Sequence, residues 1–169
     1  MKELAIINPE NVSEEEVQSY RVREAARAIV VDADGKVALL HVSKKSYYKL
    51  PGGGLDEGED VMTALRRECS EEIGCDVEVF GEVGSIVEYR KIFTPLKQTS
   101  YCYVARVVGE KGTPNFMGDE IEEGFKEVWL SYEEAERALA KSKAMDYEGS
   151  VYIVPRDIFF LKEARQFIG

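Results

Sequence analysis

The chain has 169 residues, 44% of them apolar, and a formal net charge of −10. This is enough apolar material for one well-buried domain and too little chain for two ordinary ones. The acidity argues against a protein that grips nucleic acid by neutralising phosphates. The longest apolar runs, 28–31 and 158–161, fall far short of a membrane span, and the first residues do not resemble a secretory signal, so a cytoplasmic protein is expected. Cys69, Cys75 and Cys102 are odd in number and lack metal-ligand spacing, which predicts buried free thiols.

Residues 1–23 read as an N-terminal extension, an edge strand at 4–7 and a short helix, packed on one domain that runs from 24 to 169. Ser13 followed by Glu16 is a capping-box pattern that predicts a helix reaching about Tyr20. Residues 25–31 are apolar and β-branched, Asp32-Ala33-Asp34-Gly35 makes a turn, and 36–42 alternates, which predicts a hairpin. The turn lacks the further oxygen position and distal glutamate of a calcium loop. His41, the one histidine, lies on the alternating strand, so a packed or edge role is expected and a zinc site is excluded. In the stretch 43–49, Tyr47 and Tyr48 are candidates for stacking on a nucleobase and Lys45 for meeting a phosphate. The alternative is a solvated loop with packed tyrosines.

Leu50-Pro51-Gly52-Gly53-Gly54 offers a strand end followed by three glycines, which permit positive φ and close approach of a ligand to the backbone. It is neither a Walker A loop nor a dinucleotide-binding turn. The helix that follows carries Glu68, Glu71 and Glu72, whose i, i+3 and i+4 spacing puts three carboxylates on one face. Like charges at that spacing cost helix stability, so they are either fully solvated or hold a cation. Val61, Met62, Leu65, Cys69 and Ile73 form the apolar stripe, and Glu72 lies at its border, facing a pocket wall.

Beyond the helix, a strand with a glycine interruption is expected over 76–89, a loop over 90–98, a strongly β run over 99–108 and a second loop over 110–124. A strand over 125–130 and a helix opened by a Ser131/Glu134 capping box follow. The segment 155–168 has Pro155 at a first helical position and one apolar face, which covers the core or joins a second copy in a homodimer.

The residues Gly53, Glu59, Arg67, Glu68, Cys69, Glu71, Glu72, Gly74 and Cys75 occupy in turn the positions of a G-x5-E-x7-R-E-U-x-E-E-x-G-U box, where U is a bulky apolar residue. This resembles the signature of the Nudix hydrolases, and the resemblance covers about residues 24 to 142. Cys69 and Cys75 replace the usual aliphatics, a soft departure because free cysteine behaves as a small hydrophobe. The resemblance implies an α/β fold, a Nudix-type α/β/α sandwich with a mixed β-sheet. It implies Mg²⁺ or Mn²⁺ held by Glu68, Glu72 and Glu71, with the carbonyl of Gly52 or Gly53 as a further ligand. Arg67 is expected to pair with Glu59, while Gly53 and Gly74 serve backbone shape. A glutamate from the 110–124 loop, Glu123 or Glu120, is expected to reach the site, and Glu68 and Glu123 compete as general base. The implied activity is hydrolysis of a pyrophosphate bond in a nucleoside diphosphate linked to another moiety. The first expectation is a MutT-like triphosphate pyrophosphatase acting on an ordinary or oxidised nucleotide. ADP-ribose or a sugar nucleotide is the alternative substrate, and a non-catalytic nucleotide-sensing module the alternative of another class.

Overall fold

In the computed structural model, which describes residues 1–168, seven strands form one mixed sheet with helices on both faces. Across the sheet the order is β1 (Glu3–Ile7), β5 (Asp76–Arg90), β6 (Leu96–Val108), β2 (Arg21–Val31), β3 (Val37–Val42) and β4 (Tyr47–Lys49), and β7 (Phe125–Leu130) pairs with β3. The pairs β1/β5 and β2/β6 are parallel; the rest are antiparallel.

The three-layer arrangement follows from alternation along the strands. In β2, Ala26, Ala28 and Val30 face α2 (Val61–Ile73), which buries Ala64, Leu65, Cys69 and Ile73 against them. Ile29 points the other way, into a core shared with α4 (Tyr132–Ala140) and α5 (Val154–Ile168) through Tyr132, Leu139, Phe160 and Leu161. The apolar face of α5 therefore covers the core. The three cysteines are free and buried.

The expected hairpin over 25–42 survives only as a turn. Strands β2 and β3 pair at Val31 and Val37 alone, after which β2 follows β6 along its whole length and β3 takes β7 and β4 as neighbours. The gap is filled by the glycine loop: Ala28 donates to the Pro51 carbonyl at 3.0 Å, Ala26 to the Gly53 carbonyl at 2.9 Å, and Leu55 to the Glu24 carbonyl at 3.0 Å. Backbone groups that a hairpin would have paired are satisfied by this loop instead. The splay puts the glycine loop inside the sheet's own plane.

Three boundaries differ from expectation. The helix α1 stops at four residues, Glu14–Val17: Ser13 caps the Glu16 N–H at 3.1 Å, but the Glu16 carboxylate is diverted to the Tyr20 hydroxyl and Lys91. Strand β2 begins at Arg21, so it crosses the boundary that separated residues 1–23 from the rest. Strand β6 begins at Leu96, so the 90–98 loop shrinks to 91–95. Gln98 is buried with its amide donating to Glu88 at 2.7 Å, and a polar residue that reads as loop is thereby at home in a strand. The Ser131/Glu134 capping box forms reciprocally. A widened turn, Gly149–Ile153, precedes α5, with Pro155, which has no N–H to donate, in the first turn of the helix. No helix among the described residues is long and apolar enough to cross a membrane.

Candidate active site

A cavity of about 410 Å³ opens where the glycine loop passes between β2 and β3. One wall is acidic: Glu68 and Glu72 from α2, joined by Asp119, Glu120 and Glu123 from the loop that precedes β7. The cavity is also lined by Arg23, Arg27, Arg90 and Arg156, with Glu148 paired to Arg90, and Lys49 stands beside the glycines.

The helix α2 is fixed at both ends. Asp60 accepts the Thr63 N–H at 2.8 Å at its start, and Gly74, at φ 63°, closes it by donating to the Ser70 carbonyl at 3.1 Å. Between these caps Glu68 and Glu72 are 8% and 1% exposed, so both point inward rather than to solvent. Gly53 is required by close approach, since a Cβ there would stand 2.3 Å from Glu68 Oε1. The N–H of Gly52 donates to Glu72 Oε2 at 2.6 Å, and Lys49 Nζ lies 3.4 Å from Glu72 Oε1. Burial pushes the Glu72 carboxyl up to about 7, against the pull of Lys49.

Arg67 bridges loop and helix. Its Nε and Nη2 each reach Glu59 at 2.9 Å, Nη1 reaches Glu68 at 2.9 Å and Glu71 at 3.4 Å, and Nη2 also donates to the Gly54 carbonyl at 3.1 Å. The forked guanidinium suits this bidentate grip, and it holds the Glu59 carboxyl down at about 2. Glu71 is half-buried and turned toward Arg67.

Oxygens of Glu68, Glu72 and Glu120 lie within 4.8 Å of one another. Three carboxylates this close, two of them buried, repel one another and can together hold a cation. Glu71, expected in that set, is outside it, with its carboxylate 3.4 Å from Arg67 Nη1. The 110–124 loop does reach the cavity. Its innermost carboxylate is Glu120, in the single turn α3 (Asp119–Glu122), whereas Glu123 lines the cavity but is paired with Lys45. The Gly52 carbonyl accepts from Arg27, and the Gly53 carbonyl from Ala26, so both already have partners within the fold.

The three residues read as substrate contacts lie elsewhere. Tyr47 is 3% exposed and packs with Val42 and Val154; Tyr48 stacks on His41 with ring centroids 4.5 Å apart. Neither ring lines the cavity, because β4 directs its tyrosines into the two sides of the sheet. Lys45 is engaged by Glu123 and Asp146, and the lysine of the cavity is Lys49.

Sequence reasoning missed the basic wall. Arg27 interrupts the otherwise apolar run Ala25-Ala26-Arg27-Ala28-Ile29-Val30-Val31, and that interruption was a legible signal: a charge in a buried strand needs a reason. Burial, and the like charge of Arg156, push Arg27 down to about 10.

The family model of the NUDIX domain matches residues 21–149. An RNA pyrophosphohydrolase of Sulfurovum sp. (strain NBC37-1) is 33% identical over 98 residues, 53% of this chain and 62% of that protein, so the match spans less than two thirds of that relative's length. An RNA pyrophosphohydrolase of Caulobacter vibrioides (strain NA1000 / CB15N) is 30% identical over 139 residues, 73% of this chain and 80% of that protein. Among solved structures, a NUDIX hydrolase from Nitrosomonas europaea superposes with a TM-score of 0.64 at 17% identity, over 87% of this chain and 90% of that one, a likeness of fold. With its box wrapped around this cavity and the family match running across most of its length, the chain belongs to the NUDIX domain family.

Proposed function

We propose that the chain is a metal-dependent pyrophosphohydrolase that splits a phosphoanhydride bond of a nucleoside triphosphate. The observation that carries this reading is the convergence of Glu68, Glu72 and Glu120 within 4.8 Å at a cavity that arginines also line. An all-oxygen donor set suits Mg²⁺ or Mn²⁺ rather than zinc or copper. A divalent ion bound there would neutralise phosphate oxygens and lower the pKa of a water beside them.

The chain's own residues supply the rest. Arg67 keeps Glu68 in place, and the Gly52 N–H together with Lys49 keeps Glu72 in place, so neither carboxylate must reorganise when substrate arrives. Glu120 is only partly buried and sits on a short loop helix, where it can accept the proton of the attacking water. The water oxygen bonds to phosphorus and its proton passes to that carboxylate. The bridging P–O bond breaks, its electron pair goes to the leaving phosphate, and Lys49, beside Glu72, faces the charge that develops.

A second reading is favoured by the names of the relatives: the substrate is the 5′-triphosphate end of an RNA, which presents the same anhydride chain. The experiment is metal-dependent release of phosphate and nucleotide across 8-oxo-dGTP, ordinary dNTPs, a 5′-triphosphorylated RNA oligomer, ADP-ribose, a dinucleoside polyphosphate and NADH, with Glu72→Gln as the control. Cleavage of a free triphosphate, lost in Glu72→Gln, is the expected result. Faster cleavage of the RNA end moves the assignment to the second reading. Binding of nucleotide with no cleavage of any compound makes the chain a binding module.

A further inference from the structure

Four arginines reach the cavity from three elements: Arg23 and Arg27 from β2, Arg90 from β5 and Arg156 from α5. Their partners are unequal. Arg156, 1% exposed, is fully matched: its Nε lies 2.7 Å from Asp157, and Nη1 faces Glu88 at 3.4 Å. Arg90, 6% exposed, shares Glu88 at 2.9 Å and meets the more exposed Glu148 at 3.3 Å. Arg27, also 6% exposed, has no carboxylate partner among the described residues and donates only to the Gly52 carbonyl. Arg23, at the exposed rim, donates to the Gln98 amide oxygen at 3.0 Å and lies across Gly54, where a Cβ would stand 2.7 Å from its guanidinium.

The two fully buried carboxylates of this wall, Glu88 and Asp157, pair with Arg156 and Arg90, and Arg23 and Arg27 have no carboxylate within ion-pair distance among the described residues. The Nε atoms of Arg27 and Arg90 are moreover buried with no hydrogen-bond partner. A wall built only for stability would match each guanidinium as Arg156 is matched, since an unpaired buried charge costs several kcal/mol. Here the two guanidinium groups without an ion-pair partner, those of Arg23 and Arg27, both line the cavity. The group that completes them is an anion with several acceptor oxygens, which is the chemistry of phosphate.

The position of these two arginines narrows the ligand. Gly52 touches both walls through one peptide unit on each side, its carbonyl receiving Arg27 and its N–H reaching Glu72. An anion on Arg27 is therefore a near neighbour of one at the carboxylates, as successive phosphates of an anhydride chain are. We propose that Arg23 and Arg27, backed by Arg90, form a phosphate subsite for the part of the substrate remote from the cleaved bond, so that the substrate carries at least three phosphates in a row. The second half of this proposal rests on the hydrolase reading above. A diphosphate flanked by two sugars, as in ADP-ribose, has no third phosphate for the arginines.

The direct test is calorimetric titration of inorganic tripolyphosphate into metal-free protein in EDTA, for the wild type, Arg23→Gln, Arg27→Lys and Glu72→Gln. Wild type and Glu72→Gln are expected to bind, and Arg23→Gln and Arg27→Lys to bind at least about tenfold more weakly. Arg27→Lys keeps the charge and loses the fork, and Arg23 is exposed, so a folded Arg23→Gln keeps the test decisive if the buried variant fails to fold. Equal binding by the wild type and Arg23→Gln, or no binding by the wild type, overturns the subsite. In turnover, Arg23→Gln is expected to raise KM for a triphosphate about tenfold with kcat within about threefold. Arginine-dependent binding of tripolyphosphate by a protein that cleaves nothing keeps the subsite and removes the hydrolase. Cleavage of ADP-ribose with a higher kcat/KM than any triphosphate keeps the hydrolase and removes the three-phosphate requirement.

Discussion

Lys49 Nζ lies 3.4 Å from Glu72 Oε1, joining the last residue of β4 to the last turn of α2 across the glycine loop that separates them in the chain. Both side chains are nearly out of solvent, Lys49 at 13% and Glu72 at 2% side-chain exposure, and the Lys49 ammonium also stands 4.6 Å from the Phe125 ring centroid. Lys49 is the ammonium paired with the buried Glu72 carboxylate.

Lys49→Met leaves Glu72 buried without that cation. The metal-free variant is expected to lose about 3 kcal/mol in denaturant unfolding. Saturating Mg²⁺ is expected to recover most of the loss, because a bound divalent ion takes over the neutralisation. An equal loss with and without Mg²⁺ contradicts a shared role for lysine and metal at Glu72.

The two loop carboxylates separate by activity. Glu120→Gln is expected to lower kcat about a hundredfold or more, since Glu120 shares the oxygen cluster with Glu68 and Glu72. Glu123→Gln releases Lys45 and is expected to change kcat less than about tenfold. Steady-state kinetics on the best substrate decide, and the reverse order returns the catalytic role to Glu123.

Arg67 holds the Glu59 carboxyl at about 2, below its ordinary 4.5. A depressed carboxyl stabilises the fold above its unfolded pKa, and that contribution disappears as pH falls through the folded value. Unfolding free energies of wild type and Glu59→Gln are therefore expected to differ by a constant amount above about pH 5 and to converge between 4.5 and about 2. Chemical denaturation over pH 2–7 reads this directly, and parallel curves throughout exclude Arg67 as the cause.

Tyr47 is packed against Val42, Val154 and Gly149 rather than presented to a base. Tyr47→Ala is expected to cost about 4 kcal/mol, and Tyr47→Phe to keep KM and kcat near wild type. A raised KM in a fully folded Tyr47→Phe returns this residue to the substrate.

Local sequence carried the parts of the site that lie within a few turns of chain. The 3.6-residue period brings Glu68 and Glu72 to one face of α2, and the spacing from Glu59 to Arg67 lets a long guanidinium reach back over the loop. The Ser131/Glu134 cap and the glycine loop followed the same logic, each needing only its neighbours. The hairpin over 25–42 did not, because whether β2 keeps β3 as a neighbour depends on which other segment offers its backbone, and residues 51–55 are the segment that does. The places of the two tyrosines were hidden for the same reason: adjacency to the glycines in the chain does not say which side of β4 a ring occupies.

The resemblance of one short box was thus sufficient for the family and the α/β class it implies, and local pattern for the acidic helix, since a box and a helix face are both residue types at fixed short spacings. Only the tertiary structure could bring Glu120 beside Glu68 and Glu72 while pairing Glu123 with Lys45, put Lys49 on the cavity, and gather Arg23, Arg27, Arg90 and Arg156 there from three separate elements. A net charge of −10 says nothing of such a wall, because charge summed over a chain carries no position and electrostatic interaction depends on distance.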